Sequence, residues 1–332
     1  MIELLNDSLV FSFPEVHPDA ELRIEFQRTL RIPDDARTYP LPPGLGPFPL
    51  RHIDDYEKRV PKSWVEHGGV MLTMYQSEAL WLNFNSTFTD NRARYPFAVK
   101  IAAGKINAIN GTQWANGLKR KPQNYAVVPV QPWLDGYCVD KGIIRQFVAM
   151  PLGEGYSAEE QLTGKADHGG LQIQVYPMKR EIFEKYFPKI EPVGHVSFQI
   201  GFSVNEPSMG LAPGGRMKQE IYEDPYKPTD WNLDQTSRCF VHIANSIQWK
   251  AITGDYPPLE PPTAKQYAAA GLPWFDYYSD GKAIAGAKKL AGLKSMGTLF
   301  KQKKKKALQD NETIAVEKII RLGEKTVREG NF

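Results

Sequence analysis

Residues 153–170 read GEGYSAEEQLTGKADHGG and put five acids and bases into one glycine-rich connection: Glu154, Glu159, Glu160, Asp167 and His168. A histidine near carboxylates is the usual equipment of general acid–base catalysis, because imidazole exchanges a proton near neutral pH and a carboxylate can orient it. Glu154, Glu160 and His168 are therefore the candidate catalytic residues. Ser157 and Glu160 also have the spacing of a capping box, which predicts a one-turn helix inside the loop. Long ordered loops on a β scaffold often bind ligands; the plainer alternative is a surface excursion whose acids are simply solvated.

A second stretch, SMGLAPGGRMKQEIYEDP from Ser208, comes close to a phosphate-binding loop. From Gly210 it has the G-x-x-x-x-G spacing, but Arg216 and Met217 stand where a lysine and a hydroxyl are needed. Glu220, Glu223 and Asp224 follow at once and would repel phosphate. Pro213, Gly214 and Gly215 instead predict a tight turn between a strand ending near Val204 and one starting at Arg216. No nucleotide is indicated, and any cofactor stays open.

The six histidines, His17, His52, His67, His168, His195 and His242, show no local metal-ligand spacing. His195 and His242 fall on strand patterns and could meet only through the fold. Cys138 and Cys239 sit among apolar neighbours and read as buried thiols in a reducing compartment. There is no G-x-S-x-G elbow. Carboxylate pairs for glycoside chemistry leave no local signature. Trp81, Trp114, Trp133 and Trp231 are able to stack on sugars, although core packing is the default for each.

Charge is distributed unevenly. The net charge is +3, yet residues 282–306 hold nine lysines and no acid, leaving −6 for the remainder. Ile284, Ala287, Leu290, Met296 and Leu299 form a broken apolar stripe, so the segment predicts a basic amphipathic helix weakened by Gly286, Gly292 and Gly297. Lys303, Lys304, Lys305 and Lys306 are the candidate partner-binding residues, suited to anionic lipid or nucleic-acid phosphate. The alternative is a solvated helix face.

These residues need a scaffold, and the pattern is mostly β. ELRIEFQRTLRI places Leu22, Ile24, Phe26, Leu30 and Ile32 on one face, interrupted only by Arg28. GLQIQVY and HVSFQIGFSV alternate in the same way. With the runs at Leu9, Val70, Ala79, Phe97, Tyr125, Ile143 and Arg238, about ten strands precede residue 243. Crossover helices are mostly missing. The expected fold is a large antiparallel β-sandwich or distorted barrel with a few short helices, at residues 60–67, 178–187 and after Thr263, and the lysine-rich C-terminal helix. The chain is expected to divide into a body over 1–280, with an N-terminal lobe at 1–60 left open, and a packed segment over 281–332. The closing residues read as a late strand or hairpin. No window is apolar enough to span a membrane, and the N-terminus lacks the marks of a secretory signal.

The functional expectation is a cytoplasmic, non-catalytic binding or assembly protein, homo-oligomeric if it is an assembly, with its ligand or protein partner open. The alternatives are an enzyme using the carboxylates and His168 of loop 153–170 on a small molecule or sugar, and a peripheral tether acting through residues 282–306.

Overall fold

Alternating side chains force each strand to choose a dry and a wet face, and two sheets close their dry faces on each other. The computed structural model describes residues 1–35, 37–188, 209–277, 281–303 and 312–322. A ten-stranded sheet runs from Ile2–Leu5 through Ser8–Ser12, Glu21–Thr29, Ala79–Ser86, Ile143–Pro151 and Met209–Lys218 to Thr38–Tyr39. A seven-stranded sheet follows the order Ile106–Asn107, Phe97–Ala103, Leu171–Pro177, Ser237–Asn245, Val70–Met74 and Leu50–His52. Leu22, Ile24 and Phe26 from the first sheet share one buried cluster with Leu171, Ile173 and Val175 from the second. The result is a mainly β, sandwich-like body. Neither sheet closes into a barrel among the described residues.

Local signals carry over where the chemistry is local. Helices form at Lys62–His67, Ala158–Thr163, Arg180–Tyr186 and Ala264–Ala269, and both expected capping boxes, Ser157 with Glu160 and Thr263 with Gln266, are complete. The late strand is present as Ile319–Leu322, paired with Trp274–Tyr277.

Other expectations are corrected. Residues 213–215 are not a turn but the interior of the strand Met209–Lys218. The glycines serve close approach: a Cβ on Gly215 would lie 2.4 Å from the Pro33 carbonyl oxygen, and one on Gly214 would lie 2.5 Å from Val148 Cγ2. The register steps there, Arg145 facing Arg216 but Phe147 facing Pro213, so the glycine strand carries one extra residue as a bulge. The pairing is predominantly antiparallel, as expected, and the sheets are mixed only through three parallel pairs among the described residues: Ser237–Asn245 with Val70–Met74, Met209–Lys218 with Thr38–Tyr39, and Trp274–Tyr277 with Ile319–Leu322. Within 282–303 there is no continuous helix but two short ones, Lys288–Ala291 and Met296–Gln302. Gly286 is pressed against the Asp140 backbone and Gly292 caps the first helix, so the glycines end the helical run. HVSFQIGFSV, with His195, lies outside the described residues.

Arg28, the lone charge on an otherwise apolar face, is answered from the neighbouring strand. Its Nε donates to Glu78 Oε1 at 2.7 Å, its guanidinium also reaches the Leu259 carbonyl, and Glu78 Oε2 accepts from the Tyr75 N–H. Both side chains are nearly inaccessible. Removing one partner leaves a buried charge, which typically costs about 3–5 kcal/mol, whereas replacing both with apolar groups of similar volume is close to neutral. Glu78→Ala is thus expected to lower unfolding free energy by that amount in urea titrations, and Arg28→Met with Glu78→Leu to recover most of it.

Candidate functional site

The site lies on the wet face of the second sheet. Leu171, Ile173 and Val175 of the central strand point into the core, so Gln172 and Gln174 point out. Cross-strand pairing sets Gln172 between Ala102 and Phe240, and Gln174 between Lys100 and Arg238. A cleft of about 400 Å³ opens here, lined by His67, Lys105, Trp114, Gln172, Arg238 and Phe240 among others. A second cleft of about 290 Å³ shares Asn116 and Arg238 with it and extends over Gln174 and Tyr176. Among the described residues no aspartate or glutamate lines either cleft.

Aromatic stacking builds one wall. His67 ends the helix Lys62–His67 and stacks on Phe240, with ring centroids 4.7 Å apart; Phe240 stacks on His242 at 4.4 Å, and His242 on Trp64 at 4.6 Å. His242 is buried, and its Nε2–H donates to the Gly68 carbonyl at 3.1 Å. Burial pushes its pKa down to about 3. His67 is also held below its ordinary value, first by burial and then by the nearby charges of Lys105 and His168, with Glu66 acting in the opposite direction.

Lys100 sits beside this region, the cross-strand partner of Gln174. It is buried, its ammonium donates to the carbonyls of Ala115 and Gly117, and it sits 4.6 Å from the Trp114 ring centroid. Burial, assisted by Lys119, pushes its pKa down to about 8. Among the described residues no carboxylate pairs with Lys100, Lys105 or Arg238 at ion-pair distance.

His168 reaches the rim of the cleft, 6.1 Å from His67 between ring centroids. What fixes it is Glu159, a residue that the loop's sequence pattern did not separate from its neighbours. The buried Glu159 carboxylate takes the N–H groups of Asp167, His168 and Gly169 at 3.1, 3.0 and 2.8 Å, together with His168 Nδ1 at 2.8 Å. Gly104 makes room above it: a Cβ there, on a backbone with φ of +55°, would fall 2.5 Å from Glu159 Oε2. This leaves Nε2 as the imidazole nitrogen of His168 that Glu159 does not engage.

The other two expected catalytic residues are placed differently. Glu160 accepts from the N–H groups of Gly153, Gly155 and Ser157 and from the Ser157 hydroxyl, so its carboxylate ties up its own loop. Glu154 contributes its carbonyl to Lys303 Nζ. Lys303 also stands 4.0 Å from the Tyr156 ring centroid, fastening the helix Met296–Gln302 to the loop. Lys304, Lys305 and Lys306 lie outside the described residues. The sequence offers Glu154, Glu160 and His168 as candidates from one loop; in the fold His168 meets Glu159, and the neighbouring cleft is lined by His67, Lys105 and Arg238. One signal was available for Glu159: once Glu160 closes the capping box, its neighbour must project about 100° away around the helix, toward the body.

Among the described residues no group of three or more His, Cys, Asp or Glu side chains is placed to hold a metal ion. No helix in the described residues is long and apolar enough to cross a membrane. The chain matches no family model, no curated protein and no solved structure.

Two outcomes follow. Glu159→Gln should speed amide hydrogen exchange at Asp167, His168 and Gly169 by about tenfold to a hundredfold, the loss of bonds to a charged acceptor, while Glu160→Gln should release Gly153, Gly155 and Ser157 instead. His242 is neutral in the fold and takes up a proton only when unfolded. Its contribution therefore erodes stability as pH falls from about 6.5 toward about 3, by about 1.4 kcal/mol per unit. Urea titrations across that range should show a shallower acid slope for His242→Gln than for the parent.

Proposed function

We propose that the protein binds a small organic anion with a flat apolar portion in the cleft over Gln172 and Gln174. The observation that carries this reading is the charge of the lining: Lys105 and Arg238, with His67 held toward its neutral form beside them, converge on a cleft that no carboxylate among the described residues lines. Lys100, the cross-strand partner of Gln174, adds a buried positive charge at neutral pH. In a partly desolvated cleft such charges favour an anion far more than they would in open water. Trp114 and Phe240 offer apolar surface for a planar group, and the backbone and amide groups around Asn116 supply orientation. Two free, buried cysteines, Cys138 and Cys239, support a reducing compartment such as the cytoplasm.

A second reading rests on one further contact. Glu159 fixes His168 Nδ1, which leaves Nε2 in the role of a proton acceptor beside a bound ligand. On this reading the protein turns its ligand over, and His168 is the acid–base group.

Calorimetric titration with benzoate, phenyl phosphate, benzyl alcohol and benzylamine tests the binding proposal. The two anions should bind at least about tenfold more tightly than the neutral and cationic compounds, with a difference of about 1.4 kcal/mol per tenfold. Arg238→Met and Lys105→Met should each remove most of that preference. Equal affinities across the four compounds, or a preference that survives both substitutions, would sink the proposal. His168→Gln then separates the two readings, because a binding site keeps its affinity and an acid–base site loses turnover.

A further inference from the structure

A second cavity, on the first sheet, has the opposite electrostatic character. It encloses about 300 Å³ and is lined by Leu41, Pro42, Pro43, Gly44, Trp81, Trp133, Asp135, Phe275 and Leu322. The two indoles stand nearly at right angles, 74° between planes with centroids 6.4 Å apart, so they form two walls of a corner. Tyr277 braces Trp133 from behind, edge-on at 4.6 Å. Gly44 keeps the other wall close, since a Cβ there would already touch Trp81 Cζ2 at 3.3 Å.

Among the described residues Asp135 is the one charged residue in this lining, and only 4% of it is accessible. Gln219 clamps it at two points: its Oε1 accepts the Asp135 N–H at 3.0 Å, and its Nε2 donates to Asp135 Oδ2 at 2.7 Å. The Trp133 side chain donates to the same carboxylate. Among the described residues no lysine, arginine or histidine lies within ion-pair distance of it. A buried carboxylate without a counter-charge, flanked by aromatic faces, is an uncompensated negative site.

We infer that this cavity is a binding site for a compact organic cation of the methylated-ammonium class, held between the faces of Trp81 and Trp133 and against Asp135. Aromatic faces attract such cations through their quadrupoles, most strongly for indole. A sugar fits less well, because its hydroxyls need several polar partners, and here a single carboxylate, already hydrogen-bonded to Gln219 and Trp133, faces an otherwise apolar lining. A methylated ammonium has no such demand.

Burial raises the Asp135 pKa to about 7, against the pull of the Gln219 and Trp133 hydrogen bonds. A cation binds the ionised form, so its affinity rises with pH across the neutral range. The neighbouring charged groups are Lys218 and Glu220, which flank Gln219, and Asp276, 3.8 Å from Lys218. None of the three approaches Asp135 itself closely enough to pair with it.

The test is calorimetric titration of the full chain with choline and with its uncharged carbon isostere, 3,3-dimethylbutan-1-ol. Choline should bind at least tenfold more tightly than the isostere at pH 8, and its affinity should fall about tenfold between pH 8 and pH 6. Asp135→Asn should erase both the preference and the pH dependence, with the thermal transition checked to show that the fold survives. Trp81→Leu, at the mouth of the cavity and away from the Gln219 clamp, should weaken choline about tenfold and serves as the independent variant if Asp135→Asn fails to fold. Equal binding of choline and the isostere would make the cavity a plain apolar pocket and overturn the inference. Binding of glucose with none of choline would overturn it in favour of a carbohydrate site.

Discussion

Removing a carboxylate from water costs several kcal/mol unless donors or a cation replace the lost hydration, and the fold is organised around four acids that meet this demand in different ways. Glu78 receives Arg28 and welds two strands of the first sheet. Glu159 receives three backbone N–H groups and an imidazole, and so closes loop 153–170 on itself, packed against Gly104. Asp224 receives the Tyr125 hydroxyl, the Trp231 indole and the Tyr226 N–H, which pins the segment after Met209–Lys218 to the second sheet. Among the described residues Asp135 receives only Gln219 and Trp133. The first three are closed accounts of charge, and they hold the scaffold still. The fourth is open.

The two cavities follow from the same demand. On the second sheet, Glu159 is consumed within its own loop, so the cations around Gln172 and Gln174 face solvent without an acid among them. On the first sheet, the aromatic corner around Trp81 and Trp133 holds an acid without a cation. Each cavity is defined by a charge that the protein itself does not neutralise. Sandwich packing keeps them apart, because each occupies a face that the shared core cannot reach.

Much of the scaffold was legible in the sequence, and the reason is locality. A strand's alternation, a capping box and a charge that breaks an apolar face all involve residues within a few positions of one another, so LQIQV, Ser157 with Glu160, and Arg28 could each be read directly. The sites were not local. His67 closes a short helix, Lys105 sits in a hairpin turn, Arg238 lies on a strand and His168 on a loop; only strand register brings them together, and register is not written in spacing. Glu159 and Glu160 are adjacent and identical, and they differ only in which way the helix turns them. The misread turn at 213–215 has the same origin: glycine serves close backbone approach as readily as it serves a bend, and only the neighbours at Pro33 and Val148 tell the two apart.

Parallel pairing between distant segments bears on how the chain is made. Thr38–Tyr39 finds its partner only in Arg216 and Met217, and Leu41 exchanges backbone hydrogen bonds with Phe275. During synthesis the early strands therefore emerge long before the segments that cover them. The first sheet cannot be completed on the ribosome until the chain has passed Lys218, and contacts so distant in sequence form slowly. Nascent copies spend that interval with an unpaired edge exposed. The proline-rich run from Tyr39 to Leu50, which offers few N–H groups to a stray strand, lies where that exposure lasts longest.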